Sequence, residues 1–244
     1  GVTELQNVNL RKALALAYNK EAIADQVMKN GAIAANFIVG YKLATGPDGL
    51  DFRDSSGVTY LNYNAQEALS YWEAAKEELG IDSLTLKLTH YDDTVSIAVC
   101  EYIAAQIETN LPGITIELDT QPKKNAIALG QSGDFELFLF RWGPDYKDPL
   151  AFLELLKSDA TYNWGGYSNP DYDEMITETK TGSLAGDAEG RWQVLKDAEK
   201  LLLDTDCGVF PVYQNGLAVL INPAIHNLDV RNVGVTYNYR LVTM

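Results

Sequence analysis

A run of aromatic and aliphatic residues at positions 135–142 constrains the fold more than any other stretch of the chain. Its sequence, FELFLFRW, contains only two charged residues. Such a run predicts a strand that is buried on both faces, as in a parallel or mixed sheet covered by helices. Gly143-Pro144 ends the strand, because proline has no N–H for the sheet ladder and glycine adopts turn conformations freely. The expected fold class is α/β, with a mixed, mostly parallel sheet covered by helices.

A single carboxylate, Asp145, follows this predicted strand at its carboxyl end. Ligands of open α/β sheets bind outside the carboxyl ends of the strands, so Asp145 marks the first candidate for a binding site. Asp148 and Pro149 then predict the start of a helix, with Asp148 as the N-cap and Pro149 at the first helical position. The spacing agrees equally well with a plainer interpretation, in which Asp145 only stabilises a turn.

The rest of the chain predicts alternating helices and strands. Asn19 caps a helix at residues 20–29, and Asn64 with Glu67 forms the pattern of a capping box. Strands at 84–90 and 114–119 flank a helix at 93–110, which predicts a parallel β-α-β unit with a right-handed crossover. The other predicted elements are a helix at 8–18, a surface excursion at 39–61, helices at 171–181 and 187–203 that would pack on the sheet, and strands at 209–214 and 217–221.

Charge and cysteine content exclude several classes of function. With 19 basic and 34 acidic residues, the formal net charge is −15, so the surface repels phosphate groups and nucleic acid is not an expected partner. No run of about 18 apolar residues occurs, so no transmembrane helix is predicted. Cys100 and Cys207 lack metal-ligand spacing, and no metal or cofactor is expected. Since Gly1 rather than Met comes first, we expect a mature or truncated product.

The motifs of the common enzyme classes are missing from the sequence. It contains no Gly-x-Ser-x-Gly, no glycine-rich phosphate loop and no His-Glu-x-x-His. The two histidines, His90 and His226, lie far apart along the chain. A carboxylate-based hydrolase stays open as an alternative, because acid pairs are frequent and the separation of two carboxylates is a spatial quantity. We expect a binding protein and not an enzyme.

Several segments resemble one known family in the order in which they occur. Residues 141–153, RWGPDYKDPLAFL, resemble the Trp-x-x-Asp-Tyr-x-(Asp/Glu)-Pro-x-x-(Phe/Tyr)-Leu segment of extracytoplasmic oligopeptide-binding proteins, family 5 of the solute receptors of ABC importers. Residues 11–23, RKALALAYNKEAI, resemble a helical segment of the same family. The segment YSNPDYD at 167–173 and the PVY at 211–213 are also similar to family motifs.

The resemblance implies a fold and a site. The fold would be one lobe of a type II periplasmic-binding-protein-like structure, with residues 1–216 as the second, peptide-binding lobe and 217–244 as a return segment. Asp145 would pair with the α-ammonium group of a peptide. Arg141 and Gly143 would supply main-chain contacts, and Trp142 would form a pocket wall or support the core. Pro144 departs from some family members, since it has no N–H to donate.

The resemblance also implies partners and a location. The ligand would be an extended peptide held by ladder-like main-chain hydrogen bonds, and the membrane permease subunits of an importer would be partners of a monomeric receptor. The receptor would be extracytoplasmic, either lipid-anchored at the cell surface or periplasmic. Complete chains of the family are about twice as long, so this chain is expected to be partial. Related receptors take dipeptides, nickel complexes, haem or sugars, and these solutes stay open as alternatives.

Overall fold

The computed structural model describes residues 3–231 and 233–244. Short π-helical turns at Ile23–Met28 and Leu201–Thr205 extend the second and the last of its α-helices. The helices are α1 (Val8–Leu16), α2 (Lys20–Ala22), α3 (Phe52–Ser56), α4 (Ala65–Leu79), α5 (Thr94–Asn110), α6 (Lys123–Ser132), α7 (Leu150–Leu153), α8 (Pro170–Lys180) and α9 (Ala188–Lys200). The strands are β1 (Ile33–Ala34), β2 (Leu84–Tyr91), β3 (Ile114–Gln121), β4 (Leu137–Phe138), β5 (Tyr213–Gln214), β6 (Asp229–Val230) and β7 (Tyr237–Asn238).

Polar caps fix the starts of the helices after Asn19 and Asn64, as the sequence predicts, whereas the structure places Pro149 and not Asp148 at the N-cap of α7. The Asn19 side chain accepts the N–H of Ala22 at 2.9 Å. At α4 the predicted capping box forms, since Asn64 accepts the N–H of Glu67 at 3.1 Å and donates to its carboxylate at 3.0 Å. Each cap satisfies a helix N–H that has no partner inside the helix. Among the described helices, none is long and apolar enough to cross a membrane.

The main sheet has three strands in the order β3-β2-β4, all parallel. Strands β2 and β3 pair along their full length, from Leu84 opposite Ile114 to Tyr91 opposite Gln121. Helix α5 connects them, so the predicted β-α-β unit is confirmed. Strand β2, at the centre of this sheet, carries the most deeply buried strand positions.

The predicted central strand at 135–142 is wrong in length and position. Strand β4 contains only two residues and lies at the edge of the sheet, where Leu137 pairs with Leu88 and Phe138 with Thr89. Most of its neighbours are half-buried. Their aromatic rings pack on one another and on Trp164. An apolar run of this kind looks the same in sequence whether it crosses a core or lines a cleft.

The buried side chains of the described residues form two hydrophobic clusters instead of the single core that one sheet covered by helices would give. The first cluster lies around the sheet with α1, α4 and α5, and Trp72 is its largest fully buried side chain. The second cluster joins α7, α8 and α9 to residues 37–61, with Phe52 and Tyr172 fully buried in it. Helices α8 and α9 therefore pack in the second cluster and not on the sheet. The predicted surface excursion is correspondingly buried in part.

The segment after residue 214 differs from the prediction. Strand β5 pairs antiparallel with β1, but residues 217–221, all of them described, form no strand. Leu220 is fully exposed there. Further on, the N–H of Gly234 donates to the carbonyl of Pro144 at 3.0 Å, so this segment contacts the predicted binding segment. The predicted boundary at 216/217 stays a prediction.

Candidate binding site

A cleft of about 1080 Å³ lies between the two hydrophobic clusters. Leu88 and Ile107 of the first cluster line it on one side, and Val39 and Leu43 of the second line it on the other. Its volume is slightly above the usual range of small-molecule pockets, about 300–1,000 Å³. The cleft therefore has room for a ligand.

Four of the five residues at 141–145 line this cleft, among them Arg141, Trp142 and Gly143. Asp145 does not line it. Its side chain is exposed immediately beyond the lining residue Pro144. A Cβ added at Gly143 would meet no atom within 4 Å, so the backbone there is open to an approaching group. The structure thus brings three of the predicted site residues to the cleft wall and leaves Asp145 beside it.

The side chain of Arg141 is already occupied. Its guanidinium donates to the Asp93 carboxylate at 2.6 Å and lies over the ring of Tyr91, 5.6 Å from the centroid. Partial burial opposes ionisation of Asp93, but hydrogen bonds from Ser96 and the charge of Arg141 lower its pKa overall. The guanidinium is thus paired with Asp93, and the side chain is still partly exposed. The main-chain contact that the resemblance implies for Arg141 stays a prediction.

Trp142 lines the cleft and also supports the structure behind it. Its indole N–H donates to the carbonyl of Ala151 at 3.2 Å, and its ring packs against Tyr162 with centroids 4.5 Å apart. Tyr162 in turn contacts Trp164, and Trp164 contacts Phe140. We call the rings of Phe138, Phe140, Trp142, Tyr162 and Trp164 the aromatic wall. Of these five residues, the sequence predicted only Trp142 as part of the site. The aromatic, glycine-rich stretch at 162–167 was the signal that could have identified Tyr162 and Trp164.

Helix α6 leaves space for the aromatic wall at one glycine. A Cβ at Gly130 would lie 2.3 Å from Cε3 of Trp164 and 3.0 Å from the ring of Phe138. Only a residue without a side chain allows the indole to approach the helix so closely. Gly130 therefore determines the position of the Trp164 ring in the cleft.

The facing wall is formed by residues 37–41, and two side chains hold its backbone in place. The Oε1 atom of Glu199 accepts the N–H groups of Ile38 and Val39, both at 2.9 Å. Gln214 accepts the N–H of Tyr41 at 2.7 Å and donates to the carbonyl of the same residue at 3.2 Å. Burial raises the pKa of Glu199 to about 7, against the opposing effect of the two hydrogen bonds. Sequence reasoning missed both side chains.

Comparison with known proteins identifies the family. The sequence profile of bacterial extracellular solute-binding proteins, family 5 (middle part), matches residues 2–164. The chain belongs to this family. The fold class and the resemblance predicted from sequence are therefore confirmed, and the family consists of solute-binding receptors rather than enzymes.

Individual relatives agree with the assignment. The dipeptide-binding protein of Lactococcus lactis is 29% identical over 97% of this chain, and the match covers 42% of that protein. The substrate-binding domain of an oligopeptide ABC transporter from Bacillus anthracis is 34% identical with a TM-score of 0.91, covering 98% of this chain and 46% of that one. Listeria monocytogenes OppA bound to peptide is 34% identical with a TM-score of 0.89, and the match covers 98% of this chain and 45% of that one. The chain thus spans less than half the length of these relatives.

Proposed function

We propose that this chain forms the peptide-binding part of a receptor that delivers oligopeptides to an ABC importer. One observation carries the proposal: in a chain of the solute-binding family 5, the segment at 141–144 lies on the wall of a cleft of about 1080 Å³. Two similar proteins support it, since one is described as part of an oligopeptide ABC transporter and the other is bound to peptide.

An extended peptide suits the two walls of this cleft. Main-chain groups at Arg141 and Gly143 would pair with the peptide backbone, which is common to all sequences. The aromatic wall offers apolar surface to the peptide side chains. Asp145, exposed beside the cleft, would pair with the α-ammonium group and fix the register of the peptide. Titration of the Asp145→Ala variant tests this pairing.

The remaining features of the proposal follow from the same assignment. The receptor would act outside the cytoplasm, anchored by a lipid or free in the periplasm, and would pass its ligand to membrane permease subunits. It would have no enzymatic activity. Neither His90 nor His226 is among the described residues that line the cleft, and the ring of His90 is buried against the carbonyl of its neighbour Tyr91.

Isothermal titration with a mixed pool of tri- to hexapeptides tests the proposal. Because the relatives are more than twice as long, the titration uses this chain and also the longest natural form of the protein that contains it. Asp145→Ala should weaken binding at least tenfold, since it removes a charged partner. Asp25→Ala is the matched control, because Asp25 is an exposed acid outside the cleft lining.

Each result has a distinct meaning. Binding that Asp145→Ala leaves unchanged would keep the receptor class and reject the role of Asp145. Absence of binding to every peptide would reject the oligopeptide as the solute and favour the alternatives, a dipeptide, a nickel complex or a sugar. Hydrolysis of the pool, followed by mass spectrometry, would instead favour the carboxylate-based hydrolase.

A further inference from the structure

Two Asn-Gly pairs that are far apart in the sequence lie side by side in the structure. Asn30-Gly31 comes after the π-helical turn that extends α2, and Asn215-Gly216 directly follows strand β5. The Nδ2 atom of Asn30 donates to Oδ1 of Asn215 at 3.0 Å. A glycine after an asparagine leaves its own backbone nitrogen unshielded, so the asparagine of such a pair readily loses its side-chain amide. The contact therefore joins two chemically labile positions.

The packing around Gly216 requires a glycine there. A Cβ at this position would lie 2.5 Å from the carbonyl oxygen of Asn30 and 2.5 Å from the carbonyl carbon of Gly31. Both are backbone atoms, which cannot move aside as the end of a flexible side chain can. The N–H of Gly216 donates to no backbone carbonyl among the described residues. The fold thus keeps an unshielded nitrogen next to the side chain of Asn215.

The two asparagines differ in how firmly their side chains are held. Asn30 is half-buried and both ends of its amide are engaged, since Oδ1 accepts the N–H of Ala32 at 3.0 Å and Nδ2 donates to Asn215. Asn215 is exposed, and its side chain forms one hydrogen bond with the described residues, at Oδ1. Its amide nitrogen is free to leave. The geometry therefore protects Asn30 and leaves Asn215 reactive.

We propose that Asn215 is a site of spontaneous conversion to aspartate and isoaspartate, and that Asn30 assists the reaction. The backbone nitrogen of Gly216 gives its proton to solvent and bonds to Cγ of Asn215, so negative charge develops on Oδ1. The Nδ2–H of Asn30 already donates to that oxygen and stabilises the charge. The Cγ–Nδ2 bond then breaks, and the nitrogen takes a proton from solvent and leaves as ammonia. Water opens the cyclic imide at either carbonyl, which gives aspartate or isoaspartate without an oxidant or cofactor.

The conversion changes the cleft, because Asn215 is one of its lining residues. Among the described lining residues Glu136 is the one acid, so the reaction adds a second carboxylate. Isoaspartate also inserts a methylene into the backbone directly after Gln214, whose side chain holds the facing wall at Tyr41. Neither change depends on which ligand the cleft takes.

Incubation at mildly alkaline pH, followed by proteolysis and mass spectrometry, tests the proposal. The longest natural form of the protein that contains this chain is incubated folded and, in parallel, unfolded in guanidinium chloride. In the unfolded protein the two Asn-Gly pairs should react at similar rates, because no fold distinguishes them. In the folded protein Asn30 should slow about tenfold or more, whereas Asn215 should stay within about threefold of its unfolded rate. Isoaspartate should be among the products, since direct hydrolysis of the amide gives aspartate alone.

Variants at position 30 test the assistance. Asn30→Asp keeps an acceptor for the N–H of Ala32 but removes the donor to Asn215, and Asn30→Ser removes the same donor without adding a charge. Both should slow the reaction at Asn215 about three- to tenfold, the effect expected for one hydrogen bond. Asn62→Asp is the matched control. Asn62 is exposed and its amide donates to Thr59, so this variant should leave the rate unchanged.

The other outcomes also decide the question. If Asn215 stays unconverted in the folded protein, if Asn30 reacts as fast, or if aspartate is the sole product, the proposal is wrong. An unchanged or faster reaction at Asn215 in Asn30→Ser rejects the role of Asn30, and slowing in Asn30→Asp alone would assign the effect to charge and reject it too. Thermal unfolding of each variant shows that it is folded, and the comparison of Asn30 with Asn215 needs no variant. The proposed peptide-binding function stands whichever result is found.

Discussion

The Oε1 atom of Glu199 accepts the backbone N–H of Val39 at 2.9 Å, which ties helix α9 to one wall of the cleft. The N–H of Ile38 donates to the same oxygen at the same distance. Glu199 is fully buried, and its other oxygen, Oε2, has no hydrogen-bond partner among the described residues. The cleft wall is therefore held by a carboxylate that is costly to ionise where it lies.

The buried carboxylate predicts a pH dependence of stability. Burial raises the pKa of Glu199 from 4.5 to about 7, so between these values the folded chain retains a proton that the unfolded chain has lost. The contribution to stability is fully present below pH about 4.5 and is lost as pH rises to about 7. For Glu199→Gln, which cannot ionise, this contribution should vanish. The difference in free energy of unfolding between the two proteins should change by on the order of 3 kcal/mol across that range.

Urea unfolding at a series of pH values measures this difference. Glu189→Gln is the control, because Glu189 is an exposed acid on the same helix, and it should follow the unchanged protein at every pH. If Glu199→Gln and the unchanged protein keep a constant difference from pH 4.5 to 7, Glu199 does not titrate in this range and the prediction is wrong.

A second prediction concerns the contact between Gly130 and Trp164. A Cβ at Gly130 would lie 2.3 Å from Cε3 of the indole, so Gly130→Ala must displace Trp164 and disturb the aromatic wall. Overpacking costs about 1–3 kcal/mol, while alanine improves the helix by up to about 1 kcal/mol. We therefore expect a small loss of stability, a shift in tryptophan fluorescence and weaker binding of peptides that carry aromatic side chains.

Gly165→Ala is the control that distinguishes crowding of Trp164 from a general change in the loop. Gly165 follows Trp164 directly, and a Cβ there would meet no atom within 4 Å, so this variant should leave both fluorescence and binding near the values of the unchanged protein. If Gly130→Ala gives an unshifted emission spectrum and unchanged affinity, the indole is not positioned by this helix.

Local chemistry explains which parts of the fold could be predicted from sequence. The caps at Asn19 and Asn64 and the β2-α5-β3 unit depend on neighbours in the chain, and all of them occur where the sequence predicts. The amphipathic patterns of α8 and α9 show that one face is buried but not which surface covers it. They therefore could not distinguish packing on the sheet from packing in a second cluster.

The site was harder to predict because its walls come from distant segments. Trp142 and Arg141 were found through their motif, and both line the cleft. Arg53 and Glu199 belong to no motif. Glu199 contacts Val39 across 160 positions of sequence, and Arg53 lies over the ring of Phe37 in the same wall. A buried acid in an amphipathic helix and an arginine in a polar loop look ordinary until the fold brings both to the same wall. The role of Asp145 stays a prediction.

The last prediction concerns Arg11, which connects the two clusters. It belongs to α1 in the first cluster, and its guanidinium donates to the carbonyls of Asp206, at 2.6 Å and 3.2 Å, and Cys207, at 3.1 Å. These carbonyls directly follow the π-helical turn Leu201–Thr205 that extends α9, whose side chains belong to the second cluster. Cys207 is held there in a left-handed conformation with φ of 46°. Arg11 thus satisfies the carbonyls of a strained turn and joins it to α1.

Arg11→Gln should lower the free energy of unfolding by about 2–4 kcal/mol. The substitution removes the charged donors, and the glutamine amide can satisfy at most one of the carbonyls. It should also weaken the coupling between the clusters, so amide hydrogen exchange should accelerate more in α9 than in α4. Lys12→Gln is the control, since the neighbouring ammonium only lies over the ring of Tyr71, 5.6 Å from its centroid, and should cost no more than about 1 kcal/mol. Removal of a residue that couples two units changes the relative protection of their amides. Equal acceleration of exchange in α4 and α9 would therefore show that the two clusters unfold as one unit without Arg11.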